Sequence, residues 1–270
     1  MFRGQRRRFA YETNDIIAFH MPGFLNYRII SVHKCKRRFR KIYIPSGSYK
    51  TALRNIANDL DKVLFDHDIE KINYAFVKGR NCPMHAFQHI GYQYTLSLDL
   101  EDFFDSIRPA HVKKYMSHDQ INFCFIDKAP RQGLPTSPVI SNLAFIECDK
   151  LILEQCRLLD TNITFTRYAD DLVFSFNELS IAKALVVKVE LLVRQNGFKL
   201  NKNKTKLQSS KAGRRVITGV AVDETIHATR KSKKKIRAAC HQKNLSSLKG
   251  LEEWAKLKFP NKIKIDDGET

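Results

Sequence analysis

Two adjacent aspartates, Asp170 and Asp171, interrupt an apolar, β-prone run that extends from Ile163 to Phe176. Nothing else in the sequence constrains the fold as tightly. Each carboxylate must stay ionised beside a low-dielectric core, and like charges this close raise one another's pKa. A divalent cation relieves that cost, and paired metal ions are a common engine of phosphoryl transfer. If Asp170 and Asp171 hold Mg²⁺, the chain makes or breaks phosphodiester bonds. The flanks Ile163–Tyr168 and Leu172–Phe176 both read as strands, which predicts a hairpin with the acids near its tip. Taken alone, the pair also fits an exposed β-turn, where aspartate is favoured.

The chain has 270 residues, 43% of them hydrophobic, enough for a sizeable core and too apolar for wholesale disorder. No apolar run reaches the length of a membrane span, and Met1–Arg8 has no apolar signal-peptide core. The cysteines at 35, 82, 124, 148, 156 and 240 are scattered, with no Cys-x-x-Cys pair. That argues against a zinc site or a disulfide framework and for a reducing cytoplasm.

The net charge of +19 is uneven. Residues 1–50 carry twelve Lys and Arg against two acids, and residues 197–264 carry nineteen against four. Between them, residues 51–196 carry sixteen against nineteen. A near-neutral, acid-bearing centre between two basic flanks suits a polyanion clamped over a metal site. Two solvated basic faces are the plainer alternative.

Residues 34–41 lead into Ile42–Pro45 as a basic strand or hairpin, closed by the Ser46-Gly47 turn. Leu53, Ile56, Ala57, Leu60, Val63 and Leu64 have helical spacing over 51–65. Tyr94–Leu100 alternates like a strand, with Asp99 near its end. Helices are predicted over Pro138–Cys156, with proline at the start, and over Ser180–Asn196, with Gly197 as the stop. Val216–Val222 is a glycine-interrupted strand or hairpin, and a basic helix begins at Arg230. The order is that of a β-α-β-β-α-β layout, an α+β sheet with helices on one face. Asp99 then lies beside the hairpin tip if the two strands are neighbours, although a strand-end or capping role explains it equally well in isolation.

Together, Leu98-Asp-Leu-Glu-Asp-Phe-Phe-Asp-Ser-Ile107, Gln132-Gly-Leu-Pro-Thr-Ser-Pro138 and Tyr168-Ala-Asp-Asp171 resemble reverse transcriptases in order and spacing. Gly197-Phe-Lys-Leu-Asn-Lys-Asn-Lys-Thr205 is similar to the segment that follows the catalytic hairpin in those enzymes. The resemblance covers residues 30–255, and within the family it is strongest to the bacterial retron type. Asn81-Cys-Pro-Met-His85 matches the Asn-x-x-x-His pattern of that type, and Val216-Ile-Thr218-Gly219 resembles its Val-Thr-Gly element with one extra isoleucine. The run Arg230–His241 resembles its thumb. Ala129-Pro-Arg131 before Gln132 departs from the more usual Leu-Pro.

The resemblance implies a right-hand polymerase: fingers over 1–93 with 108–131 contributing, palm over 94–222 and thumb over 223–270, with an antiparallel palm sheet packed on helices. It implies two Mg²⁺ ions at Asp99, Asp170 and Asp171, with Leu100 also at the metal site. Phe104 matches the steric gate that excludes a 2′-hydroxyl. Phe103 and Phe104 could both be core residues, but on an extended segment one faces the core and the other the site. Gln132 and Gly133 resemble the element against the incoming nucleotide and template, where glycine permits close approach. Arg40 and Lys41, or their neighbours Arg37 and Arg38, are candidates to grip the triphosphate. Lys204 would stand near the leaving pyrophosphate, or be a solvated surface lysine.

Asn81, His85, Thr218, Gly219, Arg230, Lys234 and Arg237 are then expected to contact template RNA or duplex backbone, positioning without reading sequence, although a lone histidine such as His85 is more often structural. Lys231, Lys233, Lys234 and Lys235 cannot all face one groove. The implied partners are a structured noncoding RNA that is both template and 2′-hydroxyl primer, deoxynucleoside triphosphates, an RNA–DNA hybrid and a separate effector protein, with no membrane. The implied role is antiphage defence in the bacterial cytoplasm. The alternatives are another prokaryotic reverse transcriptase, of abortive-infection or group II intron type, or a catalytically silent RNA-binding protein.

Overall fold

A computed structural model of the chain describes residues 17–18, 26–35, 38–67 and 72–258. Three antiparallel strands come first: β1 (Ile17–Ala18), β2 (Tyr27–Cys35) and β3 (Arg38–Pro45), in the order β1-β2-β3. The expected basic hairpin is β2–β3, but Ser46-Gly47 does not close it. Gly47, at φ 55°, is the break between the end of β3 and helix α1 (Gly47–His67). Arg37 and the Arg38 side chain lie outside the described residues, as do the outer parts of both basic flanks, 1–16 and 259–270.

Helix α1 is longer than the periodic stretch 51–65 and buries Tyr49, Leu53, Leu60 and Leu64. Short α2 (Cys82–Phe87) precedes the central sheet. That sheet contains β4 (Tyr94–Asp99), β5 (Thr164–Tyr168), β6 (Asp171–Phe176) and β7 (Lys206–Ser209), in the order β5-β6-β4-β7 with every pair antiparallel. Between β4 and β5 run three short helices, α3 (Phe103–Ser106), α4 (Pro109–Val112) and α5 (His118–Cys124), and the long α6 (Ser137–Leu159). Helix α7 (Ile181–Gln195) joins β6 to β7 and ends one residue before Asn196, with Gly197 at φ 80° beyond it. This is the predicted β-α-β-β-α-β layout.

Side chains alternate across a strand, so the register sorts this sheet into two faces. Leu96 and Leu98 of β4 share one face with Leu172, Phe174 and Phe176 of β6. All five are buried in one core with Ile140, Phe145 and Ile152 of α6 and Leu185, Val189 and Val193 of α7. The opposite face carries Thr95, Ser97 and Asp99, paired with Ser175, Val173 and Asp171. It is covered by α2 and by a second sheet, β8 (Arg215–Ile217), β9 (Val220–Val222) and β10 (Ile226–Ala228), ordered β10-β9-β8. Helices therefore occupy both faces, not one.

Polar groups buried on this second face must find partners there. His89 reaches Ser175 Oγ through Nδ1 (2.9 Å) and Thr166 Oγ1 through Nε2 (2.6 Å), and Arg215 donates to Thr95 Oγ1 (3.0 Å). Helices α8 (Arg230–His241) and α9 (Leu245–Ala255) pack on each other at the end of the described chain.

Candidate active site

The ladder between β4 and β6 ends on the pair Asp99–Asp171. Beyond it, Ala169 and Asp170 form the turn from β5 to β6, with Ala169 in the left-handed region at φ 56°. The Leu100 amide donates to the Asp170 carbonyl at 2.9 Å, which ties the turn to the end of β4. Three carboxylates thus gather at one end of the two central strands because strand register brings residues 99 and 171 together.

Burial pushes the Asp171 carboxyl up to about 6, and the charges of Asp170 and Asp99 add to the effect. Burial also raises Asp170. The Lys204 ammonium sits on Asp99, 2.7 and 2.6 Å from its two oxygens. This lysine lies in a 3-10 turn, Lys202–Lys204, held near β4 by the Asn201 amide donating to the Asp99 carbonyl (2.7 Å). Its side chain stays half exposed, so it is a surface lysine and a partner of Asp99 at once.

An all-oxygen donor set with two strained carboxyls suits a hard divalent cation. The residues present therefore fit Mg²⁺ by chemistry. Among the described residues, no group of three His, Cys, Asp or Glu side chains is already arranged as a metal cage. Leu100 is itself buried, so only its backbone faces the site.

In front of the acids opens a cleft of 890 Å³. Asp99, Leu100, Asp170 and Lys204 line it, and so do Arg40 and Lys41 of β3, with Gln132 and Gly133 beside that strand. Both cations are exposed. Asp171 sits one residue behind the turn and is not part of the lining. Every residue expected at the nucleotide is therefore in one cleft, although these positions are scattered from 40 to 204 in the chain.

Phe103 is buried against Phe145 and Phe198, while Phe104 is only partly covered and lines the cleft. The split was expected, but its cause differs. These two residues start a helical turn, α3, entered through Asp102 at φ 45°, not an extended segment. Gly133 likewise serves a different close approach. At φ 103°, a Cβ there would lie 2.3 Å from the Tyr43 carbonyl oxygen. The Tyr43 amide donates to the Gln132 carbonyl at 2.7 Å, so the glycine lets this loop join β3.

Two cleft residues escaped the sequence reading. Arg131 pairs with Asp105 (2.7 Å) and Asp127 (3.3 Å) and lies over the Tyr43 ring. Its place next to Gln132 was the available signal. Phe76, at φ 59°, lines the cleft beside Phe104, the rings edge to face with centroids 6.4 Å apart, and no sequence pattern marks it.

Asn81, His85, Thr218 and Gly219 gather behind the acidic hairpin, away from the cleft. The Asn81 side chain caps α2 by accepting from the Met84 amide (3.0 Å) and donates to the Lys258 carbonyl (2.8 Å). His85 is fully buried and burial holds it neutral, its pKa pushed down to about 3. Its Nδ1 is 3.2 Å from Thr218 Oγ1, and its ring packs near Tyr168 of the hairpin. Both residues of the Thr218-Gly219 turn have positive φ, 44° and 81°, the two-residue geometry that matches strand twist. Arg230, Lys234 and Arg237 are exposed on one stripe of α8. Lys233 is exposed beside that stripe, and Lys231 and Lys235 are exposed on another face of the helix.

Residues 32–237 match the family described as reverse transcriptase (RNA-dependent DNA polymerase). The chain is 32% identical over 231 residues to the retron Ec73 reverse transcriptase of Escherichia coli, covering 76% of this chain and 72% of that one. It is 30% identical over 234 residues to the retron Ec83 reverse transcriptase of the same organism, covering 79% and 73%. Among solved structures, a foamy viral protease-reverse transcriptase with double-stranded DNA superposes with a TM-score of 0.55 at 17% identity, over 89% of this chain and 37% of that one. An apo telomerase from Candida Tropicalis superposes with a TM-score of 0.55 at 13% identity, over 82% and 51%. At such identities the likeness is one of fold, the right-hand polymerase arrangement.

Proposed function

The chain belongs to the reverse transcriptases, the RNA-directed DNA polymerases, and to their retron type; from that premise we propose that it copies part of a structured noncoding RNA into single-stranded DNA. Synthesis starts from a 2′-hydroxyl of the same RNA. The observation that carries this reading is the Asp99–Asp171 pair with Asp170 at the turn, beside a cleft that Arg40 and Lys41 also line.

In this reading Arg40 and Lys41 grip the triphosphate, and Phe104 lies under the sugar where a 2′-hydroxyl finds no room. Gln132 and Gly133 hold the loop against β3 so that this strand stays close to the nucleotide. Asp99, Asp170 and Asp171 would hold two Mg²⁺ ions, with the Leu100 backbone beside them; such ions would supply charge that favours ionisation of the attacking hydroxyl and neutralises the triphosphate. Lys204, beside Asp99, offers positive charge to the departing pyrophosphate.

Fingers over 1–93 with 108–131, palm over 94–222 and thumb over 223–270 fit this division of labour. The exposed Arg230, Lys234 and Arg237 stripe suits the phosphates of an RNA–DNA hybrid. The Thr218-Gly219 turn, backed by Asn81 and His85, suits the template RNA. No described helix is long and apolar enough to cross a membrane. We place the enzyme in the bacterial cytoplasm, in antiphage defence, with deoxynucleoside triphosphates as substrates and a separate effector protein as partner.

Co-expression with the structured RNA encoded beside its gene tests the reading. The expected product is DNA that shortens on RNase treatment because RNA is joined to it, and that disappears in the Asp170→Asn, Asp171→Asn chain. DNA carrying no attached RNA would overturn 2′-hydroxyl priming, and no DNA from the wild-type chain would overturn the retron role.

A further inference from the structure

Behind the acids, β5 carries a fully buried arginine that nucleotide addition as described leaves without a task. Arg167 donates through Nε (2.9 Å) and Nη2 (2.7 Å) to the Asp149 carboxylate of α6. Its Nη1 reaches two more acceptors, Asn142 Oδ1 and the Ala169 carbonyl, each at 3.2 Å. Ala169 is the left-handed residue immediately before Asp170.

Asn142, also fully buried, turns its amide to the Ala75 carbonyl (3.0 Å), which Asn73 reaches as well (3.2 Å). The next residue is Phe76, again left-handed, which lines the cleft edge to face with Phe104. Left-handed backbone costs a residue with a side chain, and such strain persists only where the surroundings over-determine it. Here one buried cluster holds the carbonyl of Ala169 itself and the carbonyl that leads into Phe76. Residues 72–74 run alongside β5 and complete the frame, with the Arg167 amide donating to Ile72 (3.0 Å) and the Tyr74 amide to Arg167 (2.8 Å).

A buried ion pair is a poor source of stability, and apolar residues of similar volume often serve as well. A planar guanidinium that reaches three acceptors at once instead supplies geometry, which a lysine in its place cannot reproduce. We propose that Arg167 and Asn142 are positioning residues that set the Asp170 turn and the Phe76 wall in one frame, so that metal use and sugar selection in the cleft depend on the same buried pair. The inference rests on the polymerase reading above and adds to it a second wall, Phe76, and the device that aligns the two.

Single-nucleotide addition by the full chain on a plain primer–template tests it, with Mn²⁺ binding followed by electron paramagnetic resonance and folding by circular dichroism. Arg167→Lys keeps the charge on Asp149 but cannot reach both Ala169 and Asn142. It should fold, lose about tenfold or more in kcat with a smaller change in the nucleotide KM, and bind Mn²⁺ about tenfold more weakly. Asn142→Ala leaves the ion pair in place and should lower the preference for deoxy- over ribonucleotides by about fivefold or more. Folded variants with wild-type kcat, Mn²⁺ affinity and sugar preference would overturn the proposal. If Arg167→Lys does not fold, an unchanged sugar preference in Asn142→Ala overturns it alone. A wild-type chain that makes no DNA overturns the polymerase reading instead, and the Mn²⁺ titrations of wild type and Arg167→Lys still decide this one.

Discussion

Asp99 and Asp171 are direct cross-strand partners, the last pair of the β4–β6 ladder, and the Asp170 turn is tied to the same strand end through the Leu100 amide. Like charges opposite one another destabilise a sheet. The arrangement is therefore costly for the fold and useful only to a ligand that is positive.

That cost can be measured. Burial first, then Asp170 and Asp99, hold the Asp171 carboxyl at about 6, against 3.8 for a free aspartate. The unfolded chain thus releases this proton earlier as pH rises. The associated stability is full below the unfolded value and is lost as pH climbs through about 6, a change on the order of 3 kcal/mol. Asp171→Asn should raise the melting temperature of the metal-free chain at pH 7.5, lose that advantage toward pH 4, and make no DNA. Thermal melts across pH in chelator, beside a primer-extension assay, check both halves.

Phe104 is the partly exposed member of a pair whose other ring is locked in the core. Phe104→Ala should leave stability nearly unchanged and raise ribonucleotide incorporation relative to deoxynucleotide by about 10–100-fold. Competing single-nucleotide additions measure the ratio. An unchanged ratio would remove Phe104 from sugar selection.

Gly133 has backbone where a side chain would go. Gly133→Ala must push the loop off Tyr43 or break the Tyr43–Gln132 hydrogen bond, in a conformation alanine resists. The expected loss is about 1–3 kcal/mol in denaturant unfolding, with nucleotide KM rising because Arg40 and Lys41 shift with β3.

Asn81 does two jobs with one side chain, and they can be separated. Asn81→Ala removes the cap of α2 and should cost about 1 kcal/mol. Asn81→Asp keeps the acceptor for Met84 but turns a carboxylate toward the Lys258 carbonyl. It should leave α2 protected and speed hydrogen exchange at Trp254–Lys258, read by mass spectrometry.

Much of this protein was legible in its sequence because the signals are local. The alternation in Tyr94–Leu100, Pro138 in the first turn of α6 and Gly197 after α7 each act within a few residues, and the elements formed as those residues predict, α6 starting one residue earlier at Ser137. The expected Ser46-Gly47 hairpin turn was misread because a glycine that breaks the chain direction looks the same whether a strand or a helix follows. Phe103 and Phe104 were divided correctly by an argument about extended chain that does not hold there.

What the sequence determined by itself was the inventory: acids in an apolar run, cations at both ends, and a period-2 pattern that makes one sheet face apolar and the other polar. Only the tertiary structure decided which of these groups meet. Lys204 reaches Asp99 across 105 positions of chain, and Phe76 lies edge to face with Phe104. His85 turns out to be buried support for Thr218. Such pairings depend on closing long loops and on strand register, where a slip of one residue would turn Asp99 and Asp171 to opposite faces. Register is set by the packing of Leu96, Leu98, Leu172 and Phe174 on α6 and α7, so the apolar face of the sheet decides where the acids of the polar face converge.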